Sequence, residues 1–257
     1  MINFFKTIFF LALFFSTNIV FAQFSLEKRL VDNSIIHILI IDPNDYKIEL
    51  VKANDGNKGR ETVPDMAKRK QAQIAINGGF FEMGGDRDGI PSGTLVIKGK
   101  PYHLNKKIQS LLIINQNKLT ITKDLPKNRM DQNISMVSGI PLLIEEGKIV
   151  KDVLSKTSDF YVKPHARTAI GLKANGEIVI VVAENYYGVL GGIQGLSITS
   201  LATLMQQLGC GSALNLDGGG SSTLWVNGKV INRTIGDLDE SEGDYSVRAV
   251  SDSIVFI

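Results

Sequence analysis

Residues 208–223, LGCGSALNLDGGGSST, decide how the rest of the chain reads. The apolar run Ala213 to Leu216 leads directly into Asp217, three glycines, two serines and a threonine. A buried strand that ends this way opens onto a pocket built largely from main chain. Gly218, Gly219 and Gly220 carry no Cβ, so they can take positive φ and let a ligand approach the backbone, while Ser221, Ser222 and Thr223 add donors. A Gly/Ser linker has a similar composition, but here apolar strands stand on both sides. The stretch is expected to be a substrate-holding loop with Asp217 as its one charge.

The order of elements around this loop occurs twice. Ser197 or Thr199 caps a helix with Leu201, Leu204, Met205 and Leu208 on one face, Gly209 closes it, and the strand Ala213 to Leu216 follows. Earlier, Thr62 caps a helix carrying Val63, Met66 and Ala67, with Pro64 tolerated in its first turn. That helix feeds a strand from Gln73 to Ile76, which ends in Asn77-Gly78-Gly79. After each Gly-Gly comes a hairpin, SGTLVIKGK at 92–100 and SSTLWVNGK at 221–229, the first preceded by an inserted loop at 82–91. These matches predict an internal duplication that sets Asn77 beside Asp217 across a pseudo-twofold axis, with Gly78 and Gly79 sharing the pocket wall.

Most of the remaining sequence reads as β-structure. Ile35 to Ile41 and Tyr46 to Val51 flank Asp42-Pro43-Asn44-Asp45 and predict a hairpin. Further hairpins turn at Gln116-Asn117, Glu146-Gly147 and Asn175-Gly176. Residues 123–136 read as a polar connector, 234–246 as an acidic loop and 247–257 as the last strand. The expected fold is α+β: a single domain with a mixed, mostly antiparallel sheet and two main helices.

Residues 1–22 hold Lys6, an apolar run and a small residue, Ala22, and read as a secretory signal cut after Ala22. The mature domain is then 23–257, secreted or periplasmic. The run is interrupted at Ser16-Thr17-Asn18 and is short for a span, so no stable membrane anchor is expected. Removing the leader takes away Lys6 alone, so 28 basic against 26 acidic residues becomes 27 against 26. Such a balance calls for no nucleic-acid partner. The single thiol, Cys210, reads as a small buried hydrophobe.

Chemistry is expected in three further places. Lys163-Pro164-His165-Ala166-Arg167-Thr168 precedes a β-run: Arg167 offers a planar fork for phosphate, His165 can hold a proton near neutral pH and Thr168 adds a hydroxyl. Glu184, with Asn185, ends a strongly apolar strand and is a candidate acid or base. His37 and His103 read as structural. The acidic stretch from Asp237 to Asp244 matches no EF-hand spacing, and neither metal nor cofactor is expected.

Taken together, NGGFF at 77–81, SGTL at 92–95, SGIP at 138–141, HARTAIG at 165–171, LGCGSALNLDGGGSST and RAVSDSI at 248–254 resemble the phosphodiester glycosidase family. The resemblance covers nearly all of the mature chain. It departs from the family's usual His-Pro-Arg-Thr, which appears here as Pro164-His165-Ala166-Arg167-Thr168, and at Ile140, third in a Ser-Gly-Gly-Pro element. It implies hydrolysis of a sugar-1-phosphodiester at the anomeric carbon. Under it, Asp217 and Glu184 supply the carboxylates, and Arg167 with the glycine N–H groups neutralises the phosphate. Asn77, Asn215 and Thr168 orient sugar or phosphate, and His165 relays a proton. The partner implied is a sugar-phosphate or glycan. Two alternatives stay open: a Ser hydrolase using Ser221 or Ser222, disfavoured because neither centres a G-x-S-x-G, and a secreted, non-catalytic binder of sugar-phosphate polymers. A P-loop is excluded, since GGGSST lacks its Lys.

Overall fold

The computed structural model describes residues 24–31, 33–56, 58–105, 110–186, 192–235 and 246–257. The leader 1–22 and the acidic stretch 237–244 lie outside the described residues.

The chain forms a single α+β domain whose described strand pairs are all antiparallel. A seven-stranded sheet runs in the order Phe24–Val31, Ser34–Ile41, Ile178–Ala183, Arg167–Lys173, Cys210–Asn215, Leu142–Glu145, Lys148–Ile149. One five-stranded sheet is ordered Lys229–Val230, Leu224–Val226, Ile74–Asn77, Asp252–Phe256, Ile48–Lys52, and the other Lys100–His103, Leu95–Ile97, Ile134–Ser138, Leu111–Asn115, Lys118–Thr122.

Strand period two explains the layering. Along the Ile178–Ala183 strand, Ile178, Ile180 and Val182 face the two smaller sheets and join Ile74, Leu95, Leu112, Ile254 and Phe256 in one core. Val179, Val181 and Ala183 face the other way, against Leu201, Leu204 and Met205 of the Ile198–Gln207 helix. Buried on both faces, this strand reads as an unbroken apolar run. On the far side, the Val63–Arg69 helix packs Val63, Met66 and Ala67 on Ala75, Trp225 and Val255. Helix, large sheet, small sheets and helix therefore stack in that order. Among the described residues no helix is long and apolar enough to cross a membrane.

Both main helices begin where the sequence placed them. Thr62 accepts from Asp65 N–H and Ser197 from Ser200 N–H. Gly209 follows the second helix at φ +82°. Two short helices, Lys151–Ser155 and Asp159–Val162, accompany them. The hairpins at 116–117, 146–147 and 175–176 also form.

Four readings are corrected. Ser34–Ile41 and Ile48–Lys52 do not make a hairpin: the first pairs with the 24–31 and 178–183 strands, the second with Asp252–Phe256 in another sheet. The Pro43–Asp45 turn sends the chain across the sandwich rather than back along itself. The last residues of the connector begin Ile134–Ser138, the central strand of its sheet, masked by two serines in five residues. The final strand starts at Asp252, the preceding Ala249–Val250 pairing separately with Glu61–Thr62. The duplication is partial: Leu224–Val226 adds directly to Ile74–Asn77, whereas its counterpart Leu95–Ile97 pairs with Ile134–Ser138.

Candidate active site

The Ile74–Asn77 and Cys210–Asn215 strands come from different sheets, yet their C-terminal ends meet. Asp217 N–H donates to Gly78 O at 3.1 Å, and Asn77 Nδ2 donates to Asp217 O at 2.8 Å. The predicted neighbourhood of Asn77 and Asp217 is therefore present. Asn77 Oδ1 also accepts from Thr168 Oγ1 at 2.8 Å and from Thr223 N–H at 3.2 Å. With no exposed surface and three bonds made internally, Asn77 ties the halves together rather than touching a sugar. Thr168, fully buried, is likewise engaged by that bond. Asn215 donates to Ile140 O at 2.6 Å and is 1% exposed. These bonds hold the strand ends in register.

The glycine run does a different job from the one expected. Gly219 alone of the three takes positive φ, +57°. At Gly218 the requirement is steric, because a Cβ there would lie 2.6 Å from Ala166 O. The Gly218 N–H donates to Asp217 Oδ1, Gly219 N–H to Ala166 O, Ser221 N–H to Gly218 O and Ser222 N–H to Gly219 O. The Ser221 and Ser222 bonds close a 3-10 turn at Gly219–Ser221, the Gly219 bond ties it to the 165–167 segment, and all four donors are engaged within the protein. Ser221 and Ser222 are buried, at 0% and 2%. Such burial disfavours either as an exposed nucleophile.

Asp217 itself remains partly accessible. Burial raises its carboxyl to about 6. The Ser221 hydroxyl, the Gly218 N–H and the charge of Arg248 oppose that rise, while the charge of Asp252 adds to it.

Arg167 is not presented to a ligand as expected. It is 2% exposed, and its Nε donates to Leu196 O at 3.1 Å and its Nη2 to Phe160 O at 2.6 Å, with Lys163 O at 3.4 Å. Its guanidinium lies 4.9 Å from the Phe160 ring centroid. Burial lowers it to about 10, so it stays charged at neutral pH. His165 bridges Leu196 through both main-chain groups on the same flank.

Glu184, 4% exposed, follows the Ile178–Ala183 strand. Its Oε1 meets His37 Nε2 at 2.6 Å and accepts from Arg233 N–H at 3.0 Å. His37, read from the sequence as structural, is 3% exposed and partners the candidate carboxylate. The neighbouring Asn232 donates to Ser222 O and accepts from Leu224 N–H, linking Glu184 to the glycine turn.

Two residues in RAVSDSI had received no role. Asp252 is 1% exposed, and its Oδ1 accepts from Gly79 N–H at 2.9 Å. It explains the first glycine of NGG, since a Cβ on Gly78 would clash with Asp252 Oδ1; the second is set by Ser138, whose carbonyl would sit 2.9 Å from a Cβ on Gly79. Burial raises the Asp252 carboxyl to about 6 against the Gly79 N–H, the charge of Lys52 and the Ser251 hydroxyl. Lys52, directly opposite in the ladder and 7% exposed, donates to the Gly59, Gly89 and Ser251 carbonyls, and burial lowers its pKa. Arg248 is the cation acting on Asp217. The signal available in sequence was an Arg and an Asp four residues apart at a strand entrance. Nothing local said which strand end they would face.

Among the described residues no cluster of three His, Cys, Asp or Glu side chains could hold a metal. Cys210 packs against Met205 over Gly171, and burial pushes its thiol up to about 11.

A family model described as phosphodiester glycosidase matches residues 70–257. An uncharacterised protein of Rickettsia conorii is 40% identical over 115 residues, 45% of this chain and 38% of its own. The N-acetylglucosamine-1-phosphodiester alpha-N-acetylglucosaminidase of Mus musculus is 29% identical over 187 residues, 66% of this chain and 35% of its own. The chain thus spans little more than a third of the length of these curated relatives. The zebrafish N-acetylglucosamine-1-phosphodiester alpha-N-acetylglucosaminidase catalytic domain, in a structure auto-inhibited by pro-peptide, has a TM-score of 0.71 at 21% identity, covering 91% of this chain and 82% of that one. This last likeness concerns the fold.

Proposed function

Because the chain belongs to the phosphodiester glycosidase family, we propose that it hydrolyses a sugar-1-phosphodiester to free sugar and a phosphomonoester, with Asp217 as the central carboxylate. The observation that carries this reading is Asp217 itself: partly accessible, fixed by the Gly218 N–H, raised to about 6 and acted on by Arg248. A carboxylate in that range accepts a proton near neutral pH more readily than an ordinary Asp, which suits a general base.

The bond between the anomeric carbon and the bridging oxygen breaks, and the phosphomonoester leaves with the electron pair. Water adds to that carbon and gives up its proton to Asp217. A phosphomonoester is a good leaving group, so charge neutralisation matters more than a strong acid, and Arg248 takes the part first expected of Arg167. Glu184, held on one oxygen by His37 and Arg233 N–H, is the second carboxylate of the reading. Residues 1–22 support action outside the cytoplasm, and N-terminal sequencing of the mature chain would begin at Gln23.

The test follows free sugar released from an N-acetylglucosamine-1-phosphodiester. Asp217→Asn should lower kcat by about 10²–10⁴-fold, the span of general acid–base contributions, with the fold retained. Undiminished turnover in that variant would remove Asp217 from the chemistry. Binding without turnover by the unaltered protein would favour the non-catalytic, polymer-binding alternative.

A further inference from the structure

A cavity of about 200 Å³ is bounded by Phe80, Ser92, Asn105, Ser138, Gly139 and Ile140, and the chain next to this lining is tied to the segments that carry Asp252 and Asp217. Its floor is fused to both carboxylate-bearing segments. Gly79, one residue before Phe80, donates to Asp252 Oδ1, and its missing Cβ would sit 2.9 Å from Ser138 O. A Cβ on Gly139 would lie 2.3 Å from the carbonyl of Asn215, two residues before Asp217.

None of the described lining residues carries a charge, and their polar groups turn largely inward. Ser138 Oγ donates to Thr94 O and Asn105 Nδ2 to Ser92 O. The surface left for a ligand is the half-buried Phe80 ring, glycine main chain and Ile140, 45% exposed. A phosphate would find no cation here. A pyranose, whose C–H face is apolar, meets matching walls with few polar groups, the usual make-up of a small-molecule site.

The aromatic wall is braced. Phe80 packs at a steep angle on Phe160, centroids 6.3 Å apart, and Phe160 lies under the buried Arg167 guanidinium. Arg167, bonded to the carbonyls of Phe160 and Leu196, thereby positions the wall through Phe160.

We propose that this cavity is the subsite for the sugar ring, with Phe80 and Ile140 as its specificity-determining residues. The inference rests on the glycosidase reading in one respect: Asp217, acting at the anomeric carbon, must adjoin the sugar, whereas the aglycone lies beyond the phosphate.

Steady-state kinetics on an N-acetylglucosamine-1-phosphodiester test it. Ile140→Asp, which charges the cavity from an exposed position, and Phe80→Leu should each raise KM about 10-fold or more with kcat held within about threefold. Unchanged KM in both Ile140→Asp and Phe80→Leu would overturn the subsite while leaving the glycosidase reading standing. If the unaltered protein releases no sugar, that reading fails, and the subsite is then judged by saturation-transfer NMR with free N-acetylglucosamine. Transfer lost in Ile140→Asp supports it; transfer absent from the parent, or equal in both proteins, overturns it.

Discussion

Replacing Asp252 by Asn removes one buried charge while leaving an oxygen to accept the Gly79 N–H. Burial holds the folded-state carboxyl at about 6, against an ordinary 3.8. At about 1.4 kcal/mol per tenfold change in a protonation equilibrium, that rise corresponds to about 3 kcal/mol. For a group raised on folding, the favourable contribution is complete below about pH 3.8 and is lost as pH climbs through about 6. The parent should therefore shed about 3 kcal/mol through this residue between pH 4 and pH 8, and Asp252→Asn should not.

Absolute stabilities are a poorer guide than their pH dependence. Asp252 Oδ2 is buried without a well-formed hydrogen bond, so an amide placed there leaves a donor unsatisfied at every pH, at about 1–3 kcal/mol. Urea unfolding followed through Trp225, the chain's one Trp and 6% exposed, supplies the readout. With a urea slope of about 3 kcal/mol/M, the gap between variant and parent midpoints should move about 1 M in the variant's favour from pH 4 to pH 8. Parallel midpoint curves would refute the claim that the fold ionises Asp252 against burial.

Two further outcomes follow from the same geometry. Arg167→Met should cost about 3 kcal/mol or more in unfolding free energy, because it strips the Phe160, Lys163 and Leu196 carbonyls of a charged donor; an unchanged urea midpoint would refute that bracing role. Gly218→Ala should cost about 1–3 kcal/mol, its Cβ meeting Ala166 O at 2.6 Å, whereas Gly211→Ala, with its nearest neighbour at 3.6 Å, should unfold close to the parent in thermal melts.

Much of the architecture was legible because it is encoded locally. Thr62 and Ser197 announced helix starts, Asn-Gly and Glu-Gly pairs announced hairpins, and the repeated helix, strand and Gly-Gly order placed Asn77 near Asp217. The Asp42–Asp45 turn misled for the opposite reason. It looks like any hairpin turn, and only the competition among strands for partners sends Ile48–Lys52 to Asp252–Phe256.

The sequence by itself determined the α+β class, both main helices and the importance of LNLDGGGSST. The tertiary structure decided which residues meet around it. Asp252 reaches Gly79 across 173 residues, and His37 reaches Glu184 across 147. Arg167, which looked like a phosphate ligand, is engaged with carbonyls contributed by the short 159–162 helix and by the segment before the 198–207 helix. Helix caps and turns depend on residues a few positions apart, so a linear reading recovers them. Burial, orphaned carbonyls and the fields of distant charges depend on packing between sheets, and it is packing that raises Asp217 and Asp252 and withdraws Arg167 from solvent.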